Sequence, residues 1–328
     1  MNQTVLREHY QRRGFSPEIT DQAIKAVERF ERHLETGFTL VTISVKAMKG
    51  NLQGLIDRHE NDLESLLAIA RYVHLIGRMD LYIYMTSVLG GVGVMDHIRS
   101  TLTVAVGQPI ADAVFEGTQL PLGSDPAFQP ANTQKVVQRM AERVDEATMC
   151  HVLAGNHHEI PASAYADERE IFLKSASLDA YLADFHARQV AVLQRHAEEG
   201  TVWFEQRITP AVVDFVAGNP EILSAVRDGD RLLMTKIPYD PDTYLKSTDP
   251  IERRYLACHC PLAREAIKAG TSVDARWCYC SGGFEKYPFE VIFDRPLSVK
   301  VIESVLGGSE RCRFEVKLPQ GWENWLHA

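Results

Sequence analysis

The sequence predicts an α+β protein: a helical bundle at the N-terminus, followed by a C-terminal α/β module built on an antiparallel sheet. Apolar residues recur at helical spacing through most of the first 235 positions. They switch to strict alternation near the C-terminus, and a proline-rich stretch separates the two textures. At 328 residues the chain is long enough for more than one core. The expected division is a helical domain over 1–125, a helical segment over 126–235 packing on both neighbours, and a cysteine-rich α/β module over 236–328.

The elements follow in order. Ser16-Pro17 opens a helix with a capping hydroxyl and a proline at its first position. Ile19, Ala23, Val27, Phe30 and Leu34 then form one apolar stripe, and Gly37 ends it. A second helix is expected over residues 60–77, with Leu63, Leu66, Leu67, Ala70 and Val73 inward. Residues 81–95 (LYIYMTSVLGGVGVM) are too short and too dilute in apolar groups to span a membrane, and read as a buried helix or strand pair. Gly90-Gly91-Val92-Gly93 lacks the third glycine of a dinucleotide fingerprint and reads as a turn or close packing. Residues 117–132 read as a connection; residues 132–153 as a helix with Val136, Val137, Met140 and Val144 inward; residues 178–199 as a helix carrying Leu182, Phe185 and Leu193. Residues 236–250 contain three prolines and read as an extended link. In residues 311–318, Cys312, Phe314, Val316 and Leu318 alternate with Arg311, Arg313, Glu315 and Lys317, so a strand is expected there. A partner strand over 298–305 places Val299, Val301 and Val305 on one face, with Gly307-Gly308-Ser309 turning between them.

Composition bounds the function. With 35 Lys+Arg against 44 Asp+Glu the net charge is −9, which argues against a nucleic-acid partner. No secretory signal is expected from the charged first residues, and no membrane partner from the hydropathy, so a cytoplasmic location is expected. In that setting the six cysteines are not expected to form a disulfide framework.

Five of those cysteines fall within 55 residues: Cys258-His259-Cys260, then Cys278-Tyr279-Cys280 after seventeen residues, then Cys312. Two Cys-x-Cys pairs offer four thiolates to a tetrahedral zinc, although metal knuckles more often space their cysteines by two. Plain burial and nucleophilic or redox chemistry are the other readings of the same pattern. If each pair lies on a strand, its two thiols share a face. On a continuous strand over 298–305, Glu303 lies diagonally near Cys312 and needs a metal or an arginine as partner; a bulge at Ile302 turns it outward instead.

CHCPLAREAI (258–267), WCYCSGGF (277–284) and VIESVLGGSERCRFEV (301–316), with KIPYDPDTYL upstream, resemble an uncharacterised bacterial family with a CHCP…WCYCSGGF signature. More distantly, the Cys-Tyr…Gly-Phe element and the final hairpin are similar to vinyl-4-reductase-type ligand-binding domains and aminothiazoline-carboxylate hydrolase-like proteins. The resemblance implies a small-molecule-binding α/β domain, often a homodimer, with a zinc site of cysteines and an acidic residue in some members. Carried over, that site uses Cys278 or Cys280, Glu303 and Cys312. Ser304 stands where a further cysteine is usual, so Cys258 or Cys260 replaces it or the site is absent.

Other groups are weaker candidates. In GNHHEIP (155–161), His157 or His158 with Glu159 offers a base or a ligand, or simply ends a helix in solvent. His186 and His196 do not share a helix face. Arg253, Arg254 and Arg264 flank the thiols and suit a carboxylate, a thiol of lowered pKa, or surface ion pairs. Two functions are expected from this. One is a small-molecule enzyme, a hydrolase or lyase acting on a C–N or C–S bond, with Cys258 or Cys260 as nucleophile, His259 as base and Arg264 nearby, or with Cys-bound zinc activating water. The other is a non-catalytic small-molecule sensor with a structural zinc.

Overall fold

The structure, a computed structural model, describes residues 1–322; the last six positions of the expected C-terminal module lie outside them. It is α+β, with helices dominating the N-terminal part and antiparallel strands confined to the C-terminal part. The chain forms two compact units: Met1–Val92 with Gln119–Gln129, and Gly93–Thr118 with the chain from Pro130 onward. They are cut along different lines from the three spans read off the sequence.

The first unit is built from helices Gln3–Arg12, Pro17–Arg32, Val45–Asp57, Leu63–Leu75 and Met79–Leu89. Each of the first four begins at a polar cap: Asn2, Ser16, Ser44 and Asp62 accept a backbone N–H three residues on. Their apolar stripes meet in one core around Leu6, Val27, Phe30, Met48, Leu66 and Val73. Residues 81–95, left open between helix and strand by their composition, are helical up to Leu89 and again from Val94. Gly93, at φ 79°, takes the left-handed conformation that starts the second of these helices.

The second unit carries the sheets. A small hairpin pairs β1 (Val202–Trp203) with β2 (Gln206–Arg207). The larger sheet comprises β3 (Val226–Asp228), β4 (Arg231–Thr235), β5 (Val299–Glu303) and β6 (Arg313–Lys317), all antiparallel in the order β3-β4-β6-β5. Leu232, Met234, Phe314 and Val316 are buried in a core shared with Phe172, Tyr181, Phe289 and Phe293. The opposite face is wet and charged: Arg231 pairs with Glu315 at 3.1 Å, and Arg313 with Glu221 at 2.5 Å. The alternation read in residues 311–318 produces this division directly.

Three expectations change. The helix over 132–153 is two helices, Gln129–Arg143 and Glu146–Leu153, because Asp145 caps the second through Thr148 N–H. The link over 236–250 contains a short helix, Pro241–Lys246, where Asp240 caps and Pro241 occupies the first position. β5 is not continuous: its register against β6 shifts between Val301 and Glu303, a bulge at Ile302.

The helix Tyr279–Phe293 packs on β5 and on helix Glu146–Leu153. It comes so close that a Cβ on Gly283 would sit 2.6 Å from the Ala154 and Gly155 carbonyl oxygens. One on Gly282 would sit 3.2 Å from Phe314 and Val299. The Gly-Gly step is therefore a packing requirement. Gly283→Ala is expected to destabilise the fold by about 1–3 kcal/mol, as overpacking does, while Gly308→Ala, which meets no atom but forces φ 102° on alanine, strains only the turn. Urea midpoints of the two variants check this: a Gly283→Ala midpoint equal to wild type contradicts the close approach.

Candidate functional site

Five thiols converge where helix ends meet the sheet. Cys258 caps the C-terminus of helix Pro250–Ala257, and Cys260 follows it in the next turn. Cys278 closes a short 3₁₀ turn, Ala275–Cys278, and Cys280 sits in the first turn of helix Tyr279–Phe293. Cys312 immediately precedes β6. The pairs thus lie at helix termini rather than on strands. All six cysteines are free thiols, and Cys258, Cys278, Cys280 and Cys312 are buried.

The sulfurs act on one another. Ionisation of Cys258 is opposed by Cys260 and Cys312, that of Cys278 by Cys312 and Cys258, and that of Cys280 by Cys260. Burial pushes Cys258 and Cys260 up, and Cys280 up to about 12. Cys312 moves the other way. The Cys278 thiol donates to its sulfur and lowers it; the Val305 backbone N–H and the Lys236 charge add to this. Cys278 is raised, first by that bond and then by burial. The two sulfurs titrate as a pair, with Cys312 the more readily ionised of the two. The Cys260 sulfur accepts the Trp277 indole N–H at 3.2 Å.

Three charged or titratable groups border the thiols. Lys236, just past β4, pairs with Glu285 at 2.6 Å and stands 4.3 Å from the Phe284 ring centroid. Its charge reaches His158, His259, Cys280 and Cys312. His259 donates from Nε2 to the Ile237 carbonyl at 2.6 Å, which leaves Nδ1 as the basic nitrogen. Burial and Lys236 hold its imidazolium form well below the usual range, so it is neutral. Arg264 is buried against the Tyr239 and Tyr255 rings, at 4.4 and 4.9 Å.

Glu303 stands apart from the cysteines of the carried-over zinc set. The bulge at Ile302 leaves Glu303 opposite Arg313 and turns it to the charged face, where Arg311 holds it at 2.7 Å. Among the described residues, no group of three or more His, Cys, Asp or Glu side chains is placed to hold a metal ion. Glu303 and the thiols are therefore separate features. Arg253 pairs with Glu310 at 2.7 Å, and Arg254 donates to the Val305 carbonyl, so both have structural partners. His186 and His196 likewise bond to Val216 and Thr201.

The two histidines of GNHHEIP part company. His158 is exposed, its ring edge-on to Phe284 at 5.4 Å. His157 is 2% exposed; Nε2 donates to the Val152 carbonyl at 2.8 Å, and Nδ1 accepts from Nδ1 of His97 at 2.9 Å. His97 escaped the sequence reading because it belongs to no motif, and Lys236 because it was read only as the start of a link. Lys236 opens the KIPYDP stretch, and that adjacency was the one available signal.

A family of unknown function (DUF6144) matches residues 244–321, the span holding all five clustered thiols, Arg264 and Trp277. No curated protein and no solved structure matches the chain. No helix among the described residues is long and apolar enough to cross a membrane.

Burial lowers His157 from 6.5 to about 4. Because the folded value lies below the unfolded one, the unfolded chain binds the proton more readily. The resulting stability is complete above about pH 6.5 and lost as pH falls toward 4, a change of about 3 kcal/mol. Urea midpoints from pH 7 to 4 are expected to fall more steeply for wild type than for His157→Gln. Parallel profiles contradict the assignment.

Proposed function

We propose that the chain is a small-molecule enzyme, a hydrolase or lyase that cleaves a C–N or C–S bond through a cysteine thiolate. The observation that carries this reading is the Cys278–Cys312 pair, in which the bond from the Cys278 thiol makes Cys312 the more readily ionised sulfur. The pair moves the nucleophile from Cys258 or Cys260, the candidates read from the sequence, to Cys312, because burial raises the other two. The Cys312 sulfur attacks the electrophilic carbon and forms a C–S bond, as the bond to the departing nitrogen or sulfur breaks. The leaving atom takes the proton that Cys278 holds. Water then attacks the covalent intermediate, giving a proton to Nδ1 of neutral His259; the Cys312 thiolate is released, and that proton returns to Cys278 to restore the pair.

A second reading, a non-catalytic ligand-binding protein with a structural zinc, draws support from Cys260. Its sulfur receives the Trp277 indole together with the Leu262 and Ala263 backbone N–H groups, an environment suited to a metal-bound thiolate.

Alkylation of the full-length protein by iodoacetamide at neutral pH, with peptide mapping and metal analysis, tests both. Cys312 is expected to label at least about tenfold faster than Cys258 or Cys280, following its larger thiolate fraction. Labelling of Cys312 no faster than Cys258 overturns the thiolate enzyme. About one zinc per chain, lost in Cys312→Ala, favours the second reading instead.

A further inference from the structure

Arg264 is the least compensated charge in the site. Its side chain is 9% exposed, and its Nε is buried without a hydrogen-bond partner. The nearest carboxylate oxygen, Glu265 Oε1, stands 3.8 Å from Nε, and that oxygen already accepts the Tyr255 hydroxyl at 2.7 Å. The contrast with Lys236 is direct, since that ammonium is matched by Glu285 at 2.6 Å. A guanidinium withdrawn from water with no hydrogen-bonded anion is costly.

The surroundings suit a ligand. Tyr239 and Tyr255 give Arg264 aromatic neighbours that hold the guanidinium by cation–π attraction; one hydrogen bond goes to Tyr239, and Nε is left for another acceptor. Tyr239, Tyr255, His259, Cys260 and Pro261 around it are half-buried, so the cluster reaches the surface. Charge on Cys258 and Cys260 is felt at Arg264, which places the cation beside the thiols rather than apart from them.

We infer that Arg264 anchors the oxyanion of a small organic ligand, with Tyr239 and Tyr255 flanking the bound group. This rests on the small-molecule reading of the site. The planar fork suits a carboxylate bidentately and a phosphate monoester similarly.

Calorimetry of the full-length protein with benzoate and, separately, with phenyl phosphate tests it. Saturable binding of either is expected, and the better probe identifies the oxyanion. Arg264→Gln is expected to weaken binding at least about tenfold, as loss of one member of a buried charge pair does. Glu265→Gln, which removes the competing carboxylate and keeps the cation, is expected to tighten it a few-fold. Should Arg264→Gln fail to fold, the Glu265→Gln variant decides. Binding of neither probe, binding indifferent to Arg264→Gln, or weaker binding in Glu265→Gln overturns the subsite. Calorimetry reads binding whether or not a thiol reacts. Absent binding beside fast Cys312 alkylation therefore overturns the subsite alone, and binding beside inert thiols supports the subsite while overturning the thiolate reading.

Discussion

The thiol site depends on a backbone contact that only glycine permits. Gly282 and Gly283 let one helix touch the sheet through Phe314 and Val299, and the turn after Leu153 through Ala154 and Gly155. Cys278 and Cys280 lie within five residues of that contact, so its geometry sets where their sulfurs stand relative to Cys312 and Cys260. A methyl group at Gly283 would act on sulfur positions without touching a sulfur. Close packing of this kind transmits displacement because the interior has little free volume.

Within that frame the site is governed by desolvation. Burial raises most of the sulfurs, and Cys312 is the exception because the hydrogen bond from Cys278 outweighs its lost water. The two cations differ in the same currency of solvation. Lys236 retains a carboxylate, whereas Arg264 relies on aromatic faces. One site thereby combines a thiol eased toward ionisation, a matched cation and an under-matched cation.

Much of the fold could be read from periodicity. The capped helices beginning at Ser16 and Asp62 and the alternation in β6 are local signals, written in residues that touch one another along the chain. The cysteine cluster was visible because its spacing is local too. What escaped was non-local or a matter of one residue. The bulge at Ile302 reverses the side on which Glu303 emerges, and a period-two pattern cannot register a single extra residue. His97 meets His157 across sixty positions, and Lys236 meets Glu285 across forty-nine; neither pairing leaves a mark in sequence. Asp145 is a local cap signal that the reading of one continuous helix over 132–153 passed over, and its turn chemistry outweighed the apolar stripe.

The division of the chain has a topological consequence. The first unit takes in residues 119–129 after the chain has already left it at Val92, so the boundary is crossed at 92/93, 118/119 and 129/130. No single peptide-bond cleavage liberates either body whole. During synthesis the first bundle must wait for its returning strap, by which time the leading helix of the other body has already emerged. The two bodies are woven in sequence, and a gene fragment ending at residue 92 or 118 encodes an incomplete first body.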